Sequence, residues 1–281
     1  MSADYLVPDP YNSGAWLVCK DGADQSWIDP ADPARLEFDY MRRIAWLIDA
    51  WAGERGLAPG ARLRVVHIGG AGMSLARWLA VTRPTSAQIV LEPDTALTAA
   101  VRQVAPLPPH SGIKVRASDG RSGLAAMPDD YADVIILDAF DQRQVPSSLV
   151  GAEFWAEVRR VLHADGLATA NFIDAHPHDW ARRAVATIDQ AFGTSQAVDT
   201  CCLLAEASAF KSGRVTNLVV GASAVPLPLA PLVRWAAGAV FPARLLAGDD
   251  LRHWLAGARP FCDADAEPSP PRAEGELTWY G

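Results

Sequence analysis

The chain has 281 residues, half of them hydrophobic and 21% charged, a balance that suits one large α/β domain with additions at both ends and excludes disorder of the whole. Its formal net charge of −8 argues against a nucleic-acid partner, because phosphate-backbone binders gather Lys and Arg on one face. The adjacent basic pairs Arg42-Arg43, Arg159-Arg160 and Arg182-Arg183 fall in helical patterns and read as solvated helix faces.

In chain order, Met1-Ser2-Ala3-Asp4 has neither the basic start nor the apolar run of a secretory leader, so a cytoplasmic location is expected. Trp16-Leu17-Val18 and Trp27-Ile28 flank the polar turn Lys20 to Asp24 and predict a small β-hairpin. From Leu36 to Ala52, Phe38, Met41, Ile44, Ile48 and Trp51 recur at helical spacing until Gly53 and Gly56, which predicts an amphipathic helix. Residues 1–60 are therefore expected to form an N-terminal hairpin and helix, ahead of the main domain over 61–223.

From Arg62 short β-branched runs alternate with helical stretches, the pattern of a parallel sheet covered on both faces. Strands are expected at Leu63–Ile68, Gln88–Glu92, Lys114–Ala117, Val134–Asp138 and Leu167–Phe172. Helices are expected near Ser74–Thr82, Thr95–Val104, Ser148–Leu162 and Asp179–Phe192. Two more strands, Ala197–Leu204 and Val215–Val220, follow each other without a helix and should pair antiparallel. The fold class is α/β, a doubly wound, mostly parallel seven-stranded sheet, followed by a helical segment over 224–260 and a disordered tail over 261–281. The apolar stretch Leu227 to Leu246 contains Arg234, Arg244 and three prolines, which speaks against a membrane span. Cys19, Cys201, Cys202 and Cys262 show neither metal-site spacing nor a disulfide framework, so free thiols and no metal are expected.

The residues with chemistry sit where strands should end. Val65 to Ile68 runs into Gly69-Gly70-Ala71-Gly72 and then a helix; glycine lets such a turn approach a ligand, and the helix start offers free N–H groups. Glu92 ends the next strand at the interval of a ribose-binding acid, where a carboxylate accepts sugar hydroxyls; Asp94 is better placed to cap the following helix. Asp119-Gly120 and Asp138 end the third and fourth strands. A nicotinamide enzyme needs no acids there, whereas an adenosyl-sulfonium site uses one for the adenine amino group and one beside the cationic centre. His67 reads as a core histidine, and His176 and His178 as loop or helix-start residues.

The run Asp133 to Asp141, then Val145-Pro146, Glu153-Phe154, Leu162 to Gly166 and Gly213 to Asn217, resembles the core of the spermidine synthases and related aminopropyltransferases. Asp21 to Ser26 and Phe38-Asp39-Tyr40 resemble that family's N-terminal hairpin and first helix. The likeness covers roughly residues 15 to 223 and implies the class I S-adenosylmethionine-dependent methyltransferase fold. It implies a donor, S-adenosylmethionine or its decarboxylated form, and an amine or other small acceptor; the oligomeric state is open, with a homodimer as one option. Carried over by motif, Asp138 is the base or amine-orienting acid and Asp141 the holder of a second ammonium, unless it is a loop acid in water. Gln25, Gly69, Gly70, Gly72, Glu92, Asp119 and Gly120 would contact the nucleoside. This chain departs at two points: Gly70-Ala71-Gly72 lacks the loop acid that holds the donor's amine, and Tyr40-Met41-Arg42 lacks a His and a Glu. Aminopropyl transfer to a polyamine, methyl transfer, and non-catalytic nucleoside binding all follow as readings.

Overall fold

The computed structural model describes residues 5–193 and 199–271. Its first unit is a three-stranded antiparallel sheet of β1 (Leu6–Pro8), β2 (Trp16–Lys20) and β3 (Ala23–Ile28) in that order. Asp21 and Gly22 both take positive φ, 53° and 73°, the geometry that matches the twist of a two-residue hairpin. The expected hairpin is thus present with a third strand on its edge; β1 is three residues long and ends in Pro8, too short for a periodic signal. Helix α1 (Asp39–Glu54) starts three residues later than its apolar spacing, because Phe38 is still extended. Arg43 is buried on this helix at 4% exposure, which corrects the reading of its pair as a solvated face.

Then come β4 (Arg64–Ile68), α2 (Ser74–Thr82), β5 (Ala87–Leu91), α3 (Thr95–Val104), β6 (Ile113–Arg116), α4 (Gly120–Ala125), β7 (Ala132–Leu137), α5 (Ala152–Val161), β8 (Leu162–Asp174) and α6 (Asp179–Phe192). They are followed by β9 (Cys201–Glu206), β10 (Thr216–Ala222), α7 (Leu229–Gly238), β11 (Ala243–Ala247) and α8 (Gly248–Leu255). Residues 197 and 198 of the expected strand at 197–204 lie outside the described residues. The main sheet has the order β11-β9-β10-β8-β7-β4-β5-β6. Strands β4 to β8 are mutually parallel, and β10, β9 and β11 add antiparallel.

The sheet therefore has eight strands where seven were expected. The extra one, β11, lies in the Ala-rich stretch read as helical; Pro242 prevents a helix from running through it, and pairing with β9 gives its backbone donors partners. Both faces are covered, so neighbouring residues serve opposite cores. Ile135 and Leu137 face one apolar layer and Val134 and Ile136 the other. Cys201 and Cys202, both free and buried, divide between the layers in the same way.

The segment 261–271, expected to be loosely attached, is anchored. Phe261 is fully buried, Trp180 donates its indole N–H to the Glu267 carbonyl at 2.9 Å, and Ser269 Oγ accepts from the Val145 N–H at 2.8 Å. Its aspartates take part as well, Asp263 pairing with Arg121 and Asp265 with Arg183 at 2.6 Å, so the charged composition that reads as a solvated tail supplies part of the anchoring. Residues 272–281 of the expected tail lie outside the described residues.

This topology fixes where a ligand can enter. Successive strands run outward from β4 to β5 and β6 on one side and from β7 to β8 on the other, so chain direction across the sheet reverses between β4 and β7. Loops leaving two such strands diverge and open a crevice at their carboxyl ends.

Candidate active site

Gly69 follows β4 at φ +96°, and a Cβ on it would stand 2.1 Å from the Asp138 carbonyl oxygen. Only a residue without a side chain lets β4 come that close to the end of β7. The Asp138 N–H donates to the Ile68 carbonyl at 2.9 Å and the Gly69 N–H to Leu91 at 3.0 Å, so three strand ends are tied together. The loop then rests on Glu92. One carboxylate oxygen accepts from Gly70 N at 2.9 Å and Ala71 N at 3.2 Å; the other accepts from Asp94 N at 2.9 Å. A Cβ on Gly70 would press on the Glu92 side chain at 2.9 Å, and one on Gly72 on Ser26 and Ile28 of β3 at 2.8 Å. The N-terminal sheet thus backs the glycine loop. Ser26 and Ser74 join their hydroxyls at 2.6 Å, and Ser74 donates to the Trp27 carbonyl.

Opposite the loop stands Asp138. The Tyr40 hydroxyl donates to one of its oxygens at 3.1 Å and the Asn171 amide to the other at 2.9 Å. Desolvation pushes its carboxyl up to about 6 despite those two donors. Asn171 lies on β8 at 1% exposure, and its own Oδ1 has no hydrogen-bond partner. Gln25, Gly69, Gly70, Ala71 and Asp138 line one cleft with Met41, Met73, Val90, Ile136 and Phe140.

Four residues singled out in the sequence, Gln25, Gly69, Gly70 and Asp138, are therefore brought to one cleft. Glu92 lies beneath the loop and Gly72 behind it. Asp119 is exposed at the start of α4, where it accepts from the Ser122 N–H at 2.9 Å, and that backbone bond holds its carboxyl below the usual range. Gly120 serves packing, since a Cβ there would stand 2.2 Å from Ile68. Asp141 is exposed on a tight turn whose ends pair Asp141 and Gln144 through two 2.9 Å backbone bonds, and it is not part of the cleft wall.

Asp94 caps α3 by accepting from Leu97 N, as its position predicts. His67 is a buried core residue bonded to Gln88 at 2.8 Å, its ring pushed down to about 4 by burial. His178 sits at the head of α6 and bonds the Ala209 carbonyl at 3.0 Å. Among the described residues no cluster of His, Cys, Asp and Glu is arranged to hold a metal ion, and no helix is long and apolar enough to cross a membrane. The site residue that sequence reasoning missed is Asn171. Its signal was present, a lone amide inside the apolar run Ala168 to Ile173, but its partner across β7 shows only once the strand order is known.

No protein-family model matches the chain. A polyamine aminopropyltransferase of Neisseria meningitidis serogroup A is 25% identical over 150 residues, 53% of this chain and 54% of that protein. One of Vibrio vulnificus is 28% identical over 145 residues, 51% of this chain and 46% of that protein. The chain thus matches about half the length of these curated relatives. Over nearly its whole length it is similar to a probable spermidine synthase from Corynebacterium glutamicum, with a TM-score of 0.83, 26% identity and coverage of 92% of this chain and 91% of that one. Human methyltransferase-like protein 13 in complex with SAH, at 18% identity and TM-score 0.55 over 80% of this chain and 96% of that one, shares the fold. The chain has the fold of the class I S-adenosylmethionine-dependent methyltransferases. Within that class the chain is a divergent relative of the spermidine synthases.

Proposed function

We propose that the chain is a transferase that moves an alkyl group from an S-adenosylmethionine-type sulfonium donor onto a small amine, with Asp138 as the base. The observation that carries this reading is the placement of Asp138, desolvated at the β4/β7 crevice, facing the glycine loop and steadied by Tyr40 and Asn171.

The residues fit such a donor. A carboxylate offers roughly four acceptor positions; Glu92 uses three on Gly70, Ala71 and Asp94 and keeps about one for a ribose hydroxyl. Asp119 at the β6 end would take the adenine amino group, Gln25 would reach the nucleoside from β3, and Gly69 and Gly70 would give the close approach. The bound donor supplies an electrophilic carbon on a sulfonium. The amine gives up a proton to the Asp138 carboxylate, and its lone pair forms the new C–N bond as the electron pair of the broken C–S bond passes to sulfur, leaving a neutral thioether. A carboxyl near 6 narrows the gap to an amine's pKa, and burial sharpens its pull on the proton.

A specific observation also favours methyl transfer. Gly70-Ala71-Gly72 offers no carboxylate to the amine of a decarboxylated donor, whereas an intact donor brings its own carboxylate, which an acid there would repel. Calorimetric titration with S-adenosylmethionine, its decarboxylated form and methylthioadenosine separates the readings. Tenfold or greater preference for the intact donor selects methyl transfer, the reverse selects aminopropyl transfer, and binding of none overturns the sulfonium reading.

A further inference from the structure

Charge is scarce in the cleft. Among the described residues that line it, Asp138 is the one acidic side chain; Met41, Met73, Val90, Ile136 and Phe140 are apolar, and of the neutral polar groups Ser26 and Ser74 bond each other, His67 bonds Gln88, and Gln25 lines the cleft from β3. The neighbouring acids Glu92 and Asp141 are not among its lining residues. Glu92 turns both oxygens onto the backbone N–H groups of Gly70, Ala71 and Asp94. Asp141 stands exposed on the turn beyond the cleft wall.

Taking the transfer reading above as its basis, we propose that the acceptor is a primary amine with a single positive charge and an apolar chain, and not a diamine. One carboxylate neutralises one ammonium. The second ammonium of a diamine anchored at Asp138 would have to lose its water in a lining that offers it neutral groups such as the Gln25 amide and apolar side chains but no counter-charge, and an unpaired buried charge is among the costliest arrangements in a protein. A methyl group in the same place meets walls that suit it, and its burial adds to binding. Met41 lines the cleft from the head of α1, one residue after the Tyr40 that holds Asp138.

The test compares putrescine with n-pentylamine, which have the same number of heavy atoms and differ in one terminal group, an ammonium or a methyl. Each is titrated calorimetrically against the full chain at about pH 8, where Asp138 is ionised and both amines are charged, with and without saturating methylthioadenosine. The expected result is n-pentylamine binding at least tenfold more tightly than putrescine, with that binding lost in a folded Asp138→Asn variant. Equal or tighter binding of putrescine overturns the proposal, as does failure of both amines to bind. So does n-pentylamine binding that survives Asp138→Asn unchanged, since the amine then sits elsewhere. Failure of methylthioadenosine to bind counts against the transfer reading instead, and the titrations without nucleoside still report the charge preference of the cleft.

Discussion

At Asp138 two donors and a desolvating environment pull in opposite directions. The Tyr40 hydroxyl and the Asn171 amide favour the charged carboxylate, burial disfavours it more strongly, and the balance lies near 6. A base must be unprotonated, so transfer should fall away as pH drops through about 6. Asn171→Ala removes a stabiliser of the charged form, so the acid limb of the kcat/KM profile should move to higher pH; an unmoved limb would leave Asn171 a packing role only. The sign for stability is the opposite of that for a paired surface acid. The folded carboxyl lies above its usual value near 3.9, so the folded chain holds its proton more tightly, and this group's contribution to stability declines as pH rises from about 4 to about 6. Asp138→Asn relieves that cost. The variant should melt no lower than the parent at neutral pH while transfer falls by roughly a hundredfold to ten-thousandfold. Turnover measured beside melting decides the matter: a well-folded variant with parental turnover would remove Asp138 from the chemistry.

At the level of elements, the glycine loop is held from below by an acid rather than by its own helix. Glu92→Ala would strand three partly buried N–H groups, of Gly70, Ala71 and Asp94, and should cost about 1–3 kcal/mol of stability along with nucleoside affinity. Denaturant unfolding and methylthioadenosine titration of one preparation check this; intact affinity would take Glu92 out of the site. Its place at a strand end predicts one task for Glu92, toward the nucleoside, and the structure gives it a second, holding the glycine loop. Helices α2, α3 and α6 were legible to the residue, because their apolar spacing is long and glycine, Asp94 or Pro177 marks their starts. The six-residue α4 and the strand β11 were not legible, since each is shorter than the window in which a period shows. The same limit hid Asn171. A motif read along the chain cannot show which residue of β8 lies behind a residue of β7.

Across the whole molecule, sheet order and the late segment act together on the crevice. Segment 261–271 runs past α6 to the loop after β7, where Ser269 and Val145 exchange N–H bonds through Oγ and carbonyl oxygen at 2.8 and 3.1 Å. Ser269→Ala leaves the buried Val145 N–H without its acceptor. Hydrogen exchange at that amide should speed up on the order of tenfold to a hundredfold, the equivalent of about 1–3 kcal/mol, and unchanged exchange would show that the loop holds itself.

The division of the sheet into two apolar layers also gives the chain two chemical clocks. Cys201 and Cys202 are neighbours in sequence, yet one thiol is sealed in each layer, and burial raises both, Cys202 to about 12 and Cys201 well above the usual thiol value. A thiol reacts as its thiolate, so neither should alkylate until its own layer opens. Under native conditions Cys262 should label first, ahead of the equally half-buried Cys19, whose thiol is pushed up to about 12 by burial and the bond to Asp24. Equal rates at Cys201 and Cys202, resolved by mass spectrometry of the labelled peptides, are expected if the layers part together in one cooperative opening. Unequal rates would show that one side of the sheet loosens while the other still holds.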